Sequence, residues 1–201
     1  GEVAPSFALA LIDSAGTQYY HYGSTTPGGR PVDEHTIYEI GSISKVFTGV
    51  LLAKEVLDGR VALEDPIEKY LPDSLEVAIL GDKNITLGSL SDHTSGLPRM
   101  PDNFTPTNPN NPYADYTEQQ MYAFLSHYSP GRMVGTQYEY SNLAQGLLGH
   151  LLARIHHTSY EDLLVQNIAG PLEMNETRIT LSNRMEDQLA PGHNDGKIVE
   201  N

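Results

Sequence analysis

Cysteine is absent from this chain of 201 residues, so disulfide bonds and thiolate metal sites cannot form. Positive charge is scarce as well, because 12 Lys and Arg stand against 26 Asp and Glu. A negative surface repels phosphate backbones and anionic lipids, and we therefore expect no nucleic-acid partner. No apolar run approaches the roughly 18 residues that a membrane-spanning helix needs, so we expect no membrane span either.

The composition is otherwise typical of a folded globule, with 39% hydrophobic residues and 12 Tyr. The segments SFALALID and TQYYHYG are strand-like, and the turn-forming SAG lies between them. Together they predict a β-hairpin. Because an isolated hairpin is marginal in water, this one needs further strands to pack against.

Helical patterns dominate the rest of the chain. From Ser42 the apolar residues recur at helical spacing until Gly59, which suits a C-terminal cap, and we expect this helix to be largely buried. Further helices are predicted in TLGSLSDHTSGLP, TEQQMYAFLSHY, NLAQGLLGHLLARIHH and SYEDLLVQNIAG. Residues 99–116 are rich in Pro and Asn and predict a long irregular loop, either a lid over a cleft or a surface excursion.

Ser42 and Lys45 form an S-x-x-K motif at the point where an extended segment becomes the first helix. Residues at i and i+3 share a helix face, so the Lys45 amine can reach the Ser42 hydroxyl. A serine becomes a good nucleophile when a neighbouring base takes its proton, and the helix N-terminus offers N–H groups to a developing oxyanion. We expect the apolar helix to keep water away from the ammonium. The alternative is an ordinary N-cap serine followed by a solvated lysine.

Tyr140 and Asn142 form a second motif, Y-x-N, immediately before a strongly apolar helix. A tyrosine beside a lysine loses its proton more easily, because the ammonium favours the phenolate. An asparagine amide can orient the lysine and donate to a substrate carbonyl. A buried tyrosine and a helix-capping asparagine would be the simpler interpretation of this motif alone.

With both motifs in this order, the sequence resembles the serine β-lactamase and penicillin-binding-protein superfamily, in particular its class C branch and the related esterases and D-amino-acid peptidases. The similarity covers nearly the whole chain. It is carried by YEIGSISKVFTGVLLAKEVLDGRVALEDPIEKYLP, LSDHTSGLP, YEYSNLAQGLLGHLL and IAGPLEMNETRIT.

The resemblance implies a two-lobed fold with one α/β lobe and one all-α lobe, and a serine hydrolase or acyltransferase that works through an acyl-enzyme. Ser42 would attack a carbonyl of a β-lactam, ester or D-amino-acid peptide, and its N–H would be one oxyanion donor. Lys45 and Tyr140 would share the proton transfers, and Asn142 would orient Lys45 and the substrate amide. The alternative function is an inactive homologue that binds a peptide or partner in the same cleft.

One expected motif is absent, since no K-T-G or H-x-G triplet follows Tyr140. The final residues resemble a point about midway through family members, so we expect only the N-terminal and middle part of such a protein, with part of the sheet missing. Residues 1–60 would begin the α/β lobe and lead into the nucleophile helix, residues 61–190 would form a mainly helical lobe, and residues 191–201 would begin the return. The expected partners are an acyl substrate and the remainder of the same protein, as a further segment or a second chain.

No cofactor or metal site is expected, because neither H-E-x-x-H nor any other zinc-site spacing occurs among the histidines. His93 is expected to fix the turn in HTSG through a hydrogen bond rather than act as a base. The lack of cysteine leaves the cellular location open, and the resemblance favours a periplasmic or secreted protein.

Overall fold

The computed structural model describes residues 5–109, 111–194 and 197–199. They fall into two compact units. The first unit contains the described residues of 1–41, 108–111 and 178–201, and the second contains residues 42–107 and 112–177. Among the described residues, no helix has the length and apolar character needed to cross a membrane.

Both units are built from short elements. The strands are β1 (Ser6–Asp13), β2 (Gly16–Gly23), β3 (Gly192–Asn194) and β4 (Lys197–Val199). The α-helices are α1 (Ser44–Leu57), α2 (Leu87–Ser91), α3 (Glu118–His127), α4 (Asn142–Ile155), α5 (Tyr160–Leu164) and α6 (Asn183–Gln188). A π-helical turn, Val165–Ala169, continues α5.

The first unit contains two antiparallel hairpins. Strands β1 and β2 pair from Ser6 opposite Gly23 to Asp13 opposite Gly16, and Asp13 Oδ1 accepts a 2.7 Å hydrogen bond from the Ala15 N–H in the turn. The predicted first hairpin is therefore confirmed. Its large apolar side chains are exposed, and no third strand joins it within the part of the chain that the structure describes.

The second unit is organised around α4. Its residues Leu147, Leu148, Leu151 and Leu152 are fully buried, and α4 packs against α1, α2 and α5. An amphipathic helix normally buries one stripe, whereas a helix that is apolar nearly all round becomes the centre of a core. The sequence NLAQGLLGHLLARI has this second character, and it accounts for the position of α4.

Polar caps define where these helices begin. Thr86 and Ser89 form a reciprocal capping box at α2, as do Thr117 and Gln120 at α3. Ser159 caps α5. Each cap satisfies backbone N–H groups that have no partner inside the helix. The helices predicted in these segments are all confirmed.

Helix α1 differs from the expectation that it would be largely buried. Val46, Val50 and Leu57 are 62%, 47% and 86% exposed, whereas Leu51 and Leu52 on the opposite side are buried. The helix is apolar on both sides, and the described residues cover only one of them. Hydrophobic spacing alone could not tell which side would be covered.

Candidate active site

Ser42 and Lys45 meet where the chain enters α1. Ser42 lies in a 3-10 turn, Gly41–Ile43, and Lys45 is the second residue of α1. The Lys45 Nζ atom donates to Ser42 Oγ over 3.1 Å. The predicted S-x-x-K spacing therefore brings the two side chains into hydrogen-bond contact.

Tyr140 completes a three-residue cluster with these two. Its hydroxyl donates to Ser42 Oγ at 2.6 Å, and Lys45 Nζ lies 4.8 Å from the centre of its ring. The pKa of the Tyr140 phenol is lowered, first by its interaction with Lys45 and then by its hydrogen bond to Ser42, because both favour the phenolate. A lower pKa makes the phenolate, which is the form that can accept a proton, more available at neutral pH.

The segment that carries Tyr140 is held by residues of the HTSGLPR segment, residues 93–99. The Glu139 N–H donates to the His93 carbonyl at 2.8 Å, and the Ser141 N–H donates to His93 Nδ1 at 3.1 Å. His93 takes a left-handed backbone conformation, with φ of 64°. Its ring also lies 4.7 Å from the Tyr140 ring, centre to centre. The His93 ring thus accepts a hydrogen bond, but from the Tyr140 segment and not from within the HTSG turn that it was predicted to fix.

Ser141 provides the second attachment. Its side chain is fully buried, donates to the Pro98 carbonyl at 2.6 Å and accepts from the Ala144 N–H at 2.9 Å as the N-cap of α4. Sequence reasoning assigned the cap to Asn142 as the simpler alternative and gave Ser141 no role. A serine one residue before an apolar helix was the available signal.

Asn142 is placed differently from the other three predicted residues. Its amide nitrogen donates to the Tyr113 hydroxyl at 3.4 Å and approaches Met100 Sδ at 3.6 Å. Among the described residues it makes no hydrogen bond to Lys45. The amide therefore faces the loop of residues 99–116, and the expected contact that would orient Lys45 is not present.

The described residues of that loop are irregular, as predicted, and several of them pack against one another through their side chains. The ring of Phe104 lies 5.4 Å from the ring of Tyr113 and 5.5 Å from that of Tyr116. Asp115 accepts hydrogen bonds from the backbone and side chain of Thr107 at 2.8 Å and 2.6 Å. Together with the contact between Tyr113 and Asn142, this packing argues against a loose surface excursion, and the lid over a cleft stays a prediction.

Arg99 is a further charged group at the cluster that sequence reasoning did not single out. Its guanidinium carbon lies 5.1 Å from the centre of the Tyr140 ring. Its carbonyl accepts the N–H groups of Asn142 and Leu143 at 3.0 Å and 3.3 Å, which ties it to the start of α4. Its position directly after HTSGLP was the only feature of the sequence that could have placed Arg99 near the site.

The cluster is open to solvent over the described surface. Ser42 is exposed and Lys45 is half-buried, so the expected exclusion of water from the ammonium is not met by the described residues. Across the same part of the chain, no group of three or more His, Asp or Glu side chains is arranged to hold a metal ion. The histidines have other contacts, such as His150 with the Tyr122 hydroxyl at 2.6 Å.

A serine hydroxyl that contacts both an amine and a phenol at a helix N-terminus is suited to acyl transfer through a serine ester. Comparison with known proteins identifies the family of the chain. The chain belongs to the beta-lactamase family, whose model matches residues 1–199. The resemblance found in the sequence is therefore confirmed.

Individual relatives carry two kinds of name. A beta-lactamase of Yersinia enterocolitica is 29% identical over 97% of this chain and 47% of its own length. The D-alanyl-D-alanine-carboxypeptidase/endopeptidase AmpH of Escherichia coli K12 is 34% identical over 90% of this chain and 47% of its own length. The chain thus spans about half the length of the curated relatives that it matches.

Solved structures confirm the predicted fold. The beta-lactamase/D-alanine carboxypeptidase of Yersinia pestis matches with a TM-score of 0.86 and 31% identity, over 93% of this chain and 53% of the other. The corresponding protein of Pseudomonas syringae matches with a TM-score of 0.80 and 27% identity, over 96% and 51% of the two chains. This chain has the beta-lactamase-like fold over the region that it shares with them.

Proposed function

We propose that Ser42 is the nucleophile of a serine hydrolase or acyltransferase that acts on β-lactam, ester or D-amino-acid peptide substrates. The observation that carries the proposal is the position of Ser42 Oγ, which lies 3.1 Å from Lys45 Nζ and 2.6 Å from the Tyr140 hydroxyl. A structural serine has no need of two proton-transfer groups on one oxygen.

In the proposed reaction, Ser42 Oγ attacks the substrate carbonyl carbon while its proton passes to the pair formed by Tyr140 and Lys45. Tyr140 is the acceptor in its phenolate form, which the Lys45 ammonium stabilises, in keeping with the lowered pKa of the phenol. The tetrahedral intermediate then expels an amine or alcohol, which takes up that proton. Water or another nucleophile releases the acyl group from Ser42 and regenerates the hydroxyl.

The oxyanion needs N–H donors at the position where its charge develops. The Ser42 N–H is the proposed first donor, because the first N–H groups of a helix have no acceptor inside it. The second donor would come from the strand that carries the third motif in this family, outside the sequence present here. Loss of one oxyanion donor costs about 10² to 10³ in rate, so we expect slow turnover from these 201 residues alone.

The proposed substrate classes are based on the names of the relatives. Beta-lactamases and a D-alanyl-D-alanine carboxypeptidase are similarly distant from this chain, at 29% and 34% identity. We therefore propose a small-molecule or peptide acyl donor, with Asn142 positioned to contact its amide. We also propose the lobe organisation given by residues 1–60, 61–190 and 191–201, with the remaining part of the fold as the partner.

Stoichiometric labelling tests the proposal even when turnover is slow. The protein is incubated with a fluorophosphonate and, separately, with a chromogenic penicillin, and its intact mass is recorded. We expect one adduct per chain, absent in Ser42→Ala and retained in Ser44→Ala, a control at an exposed serine two residues away. A persistent β-lactam adduct would indicate a penicillin-binding protein, and a transient one would indicate a β-lactamase.

The opposite result is equally specific. If the wild-type protein gains no mass with either reagent even when the remaining part of the fold is supplied, or if Ser42→Ala is labelled as fast as the wild type, Ser42 is not an activated nucleophile. The inactive binding homologue would then be the better description.

A further inference from the structure

Arg99 is a charged side chain next to the Ser42 cluster whose hydrogen-bond donors have no acceptor among the described residues. The Arg99 side chain is exposed, and the guanidinium makes no hydrogen bond or ion pair with any residue that the structure describes. Its one recorded side-chain contact is the cation-π contact with the Tyr140 ring at 5.1 Å. All five N–H donors of the guanidinium are thus available to a ligand that reaches the cluster.

Neither Glu139 nor Asp92 forms an ion pair with Arg99. Glu139 forms an ion pair with Arg132, and Asp92 accepts hydrogen bonds from the backbone and hydroxyl of Thr94. Two cations, Lys45 and Arg99, therefore contact the Tyr140 ring. Neither forms an ion pair with a carboxylate among the described residues. Two cations thus lie beside one ring of the cluster in a chain whose formal net charge is -14.

This charge pattern matters for any anionic substrate. A strongly negative protein slows the approach of anions, and a local pair of cations beside the nucleophile offsets that repulsion where the reaction takes place. A guanidinium also presents a planar fork of donors that matches a carboxylate in two parallel hydrogen bonds. The N–H groups of Asn142 and Leu143 donate to the Arg99 carbonyl and fix the Arg99 backbone. The side chain therefore starts from a fixed position beside the cluster.

We propose that Arg99 is a specificity-determining residue that binds a carboxylate on the acyl donor and so selects anionic over neutral substrates. This inference rests on the proposed acylation of Ser42. It differs from a role in which Arg99 acts only through Tyr140, because that role would affect every acyl donor equally.

The test compares two fluorophosphonates that share one alkyl chain, ending in a carboxylate in one reagent and in its methyl ester in the other. Labelling rates are read from intact mass for the wild type, Arg99→Gln, Arg99→Lys and Lys83→Gln. Lys83→Gln is the control, because it removes the same charge at an exposed position. Lys83 makes no contact with the Ser42 cluster in the described structure.

We expect Arg99→Gln to slow labelling by the carboxylate reagent about fivefold to tenfold, and by the methyl ester less than about twofold. Arg99→Lys should recover part of the loss, because it keeps the charge but not the fork. Lys83→Gln should leave the ratio of the two rates unchanged. Added salt should reduce the preference of the wild type for the carboxylate, since the interaction is exposed.

Two results would overturn the inference while leaving the acylation of Ser42 intact. Equal slowing of both reagents in Arg99→Gln would mean that Arg99 acts only through Tyr140. Wild-type rates with both reagents in Arg99→Gln would mean that Arg99 neither binds the carboxylate nor acts through Tyr140. Failure of the wild type to react with either reagent would instead count against the proposed function itself.

Discussion

Replacement of Ser141 by alanine should destabilise the protein more than the loss of an ordinary helix cap. The Ser141 side chain is fully buried, caps α4 through the Ala144 N–H and donates to the Pro98 carbonyl at 2.6 Å. Alanine removes both interactions and introduces no clash. The partly buried Pro98 carbonyl would lose the donor that the serine supplies.

The expected magnitude is the sum of two effects. An N-cap serine replaced by alanine typically costs about 1 kcal/mol. A buried acceptor left without its donor costs about 1–3 kcal/mol. We therefore expect Ser141→Ala to lower the free energy of unfolding by about 2–4 kcal/mol, a large share of the stability of a typical domain.

Ser159→Ala is the matched control. Ser159 caps α5 by accepting the Asp162 N–H at 3.0 Å, but it is exposed, and its hydroxyl donates to the exposed Asp162 carboxylate. This variant should lose only about 1 kcal/mol, the cost of a cap. Urea unfolding followed by far-ultraviolet circular dichroism would give both values.

The comparison also has a functional readout. Because Ser141 directly follows Tyr140, Ser141→Ala should slow fluorophosphonate labelling of Ser42 under conditions in which the variant remains folded. Ser159→Ala should leave labelling unchanged. The reasoning would be refuted if the two variants were equally stable, or if Ser141→Ala were labelled at the wild-type rate.

Two other positions give independent predictions. A Cβ at Gly149 would lie 3.0 Å from the Tyr160 ring, which the 2.7 Å hydrogen bond with Thr48 holds in place, so Gly149→Ala should overpack the site by about 1–3 kcal/mol. Better helix propensity returns at most about 1 kcal/mol, so the melting temperature should fall, and a rise would contradict this packing. His93 has a lowered pKa, because of burial and then the Lys45 charge, so its contribution to stability is present above about pH 6.5 and is lost as the pH falls below that value. Between about pH 7.5 and pH 5.5, urea midpoints should fall more for the wild type than for His93→Gln, and equal falls would exclude this role.

Local signals account for the elements that the sequence predicted well. The beginning of α3 could be placed because Thr117 and Gln120 lie at capping-box spacing before an apolar run. The end of α1 could be placed because Gly59 has a positive φ of 71°, which glycine adopts without strain. In both cases the residues that determine the boundary lie within about one helical turn of it.

Long-range contacts were predicted only where a family resemblance supplied them. Tyr140 and Ser42 are separated by 98 residues, and nothing in their local sequence requires that they meet. The attachments made by His93, Ser141 and Arg99 were missed because several of them involve backbone groups, which every residue type possesses. Such hydrogen bonds leave no pattern of side-chain types along the sequence.

The placement of Asn142 illustrates a different difficulty. The motif fixes its position at the first turn of α4, but the direction of a side chain depends on what surrounds it. Here the loop supplies Tyr113 and Met100 as partners, and the amide faces them rather than Lys45. A substrate amide that competes for the same nitrogen would have to displace the Tyr113 hydroxyl.

The distances between the side chains of the Ser42 cluster depend on how helices α1 and α4 are held together at both ends. Helices α1 and α4 pack against each other and carry the cluster at their N-termini. Near their C-termini, Glu55 is 1% exposed and lies 2.9 Å from His156 Nε2, while Arg60 donates to both of its carboxylate oxygens at 3.2 Å. Separation of the helix ends would expose this buried carboxylate to water and remove its contact with His156, whereas the pair with Arg60, which lies shortly after α1, would persist. The leucine core between α1 and α4 and the contact of Glu55 with His156 thus hold together the two helices whose N-termini bring Tyr140 to Ser42. For this reason the geometry around Ser42 should persist when its hydroxyl is removed.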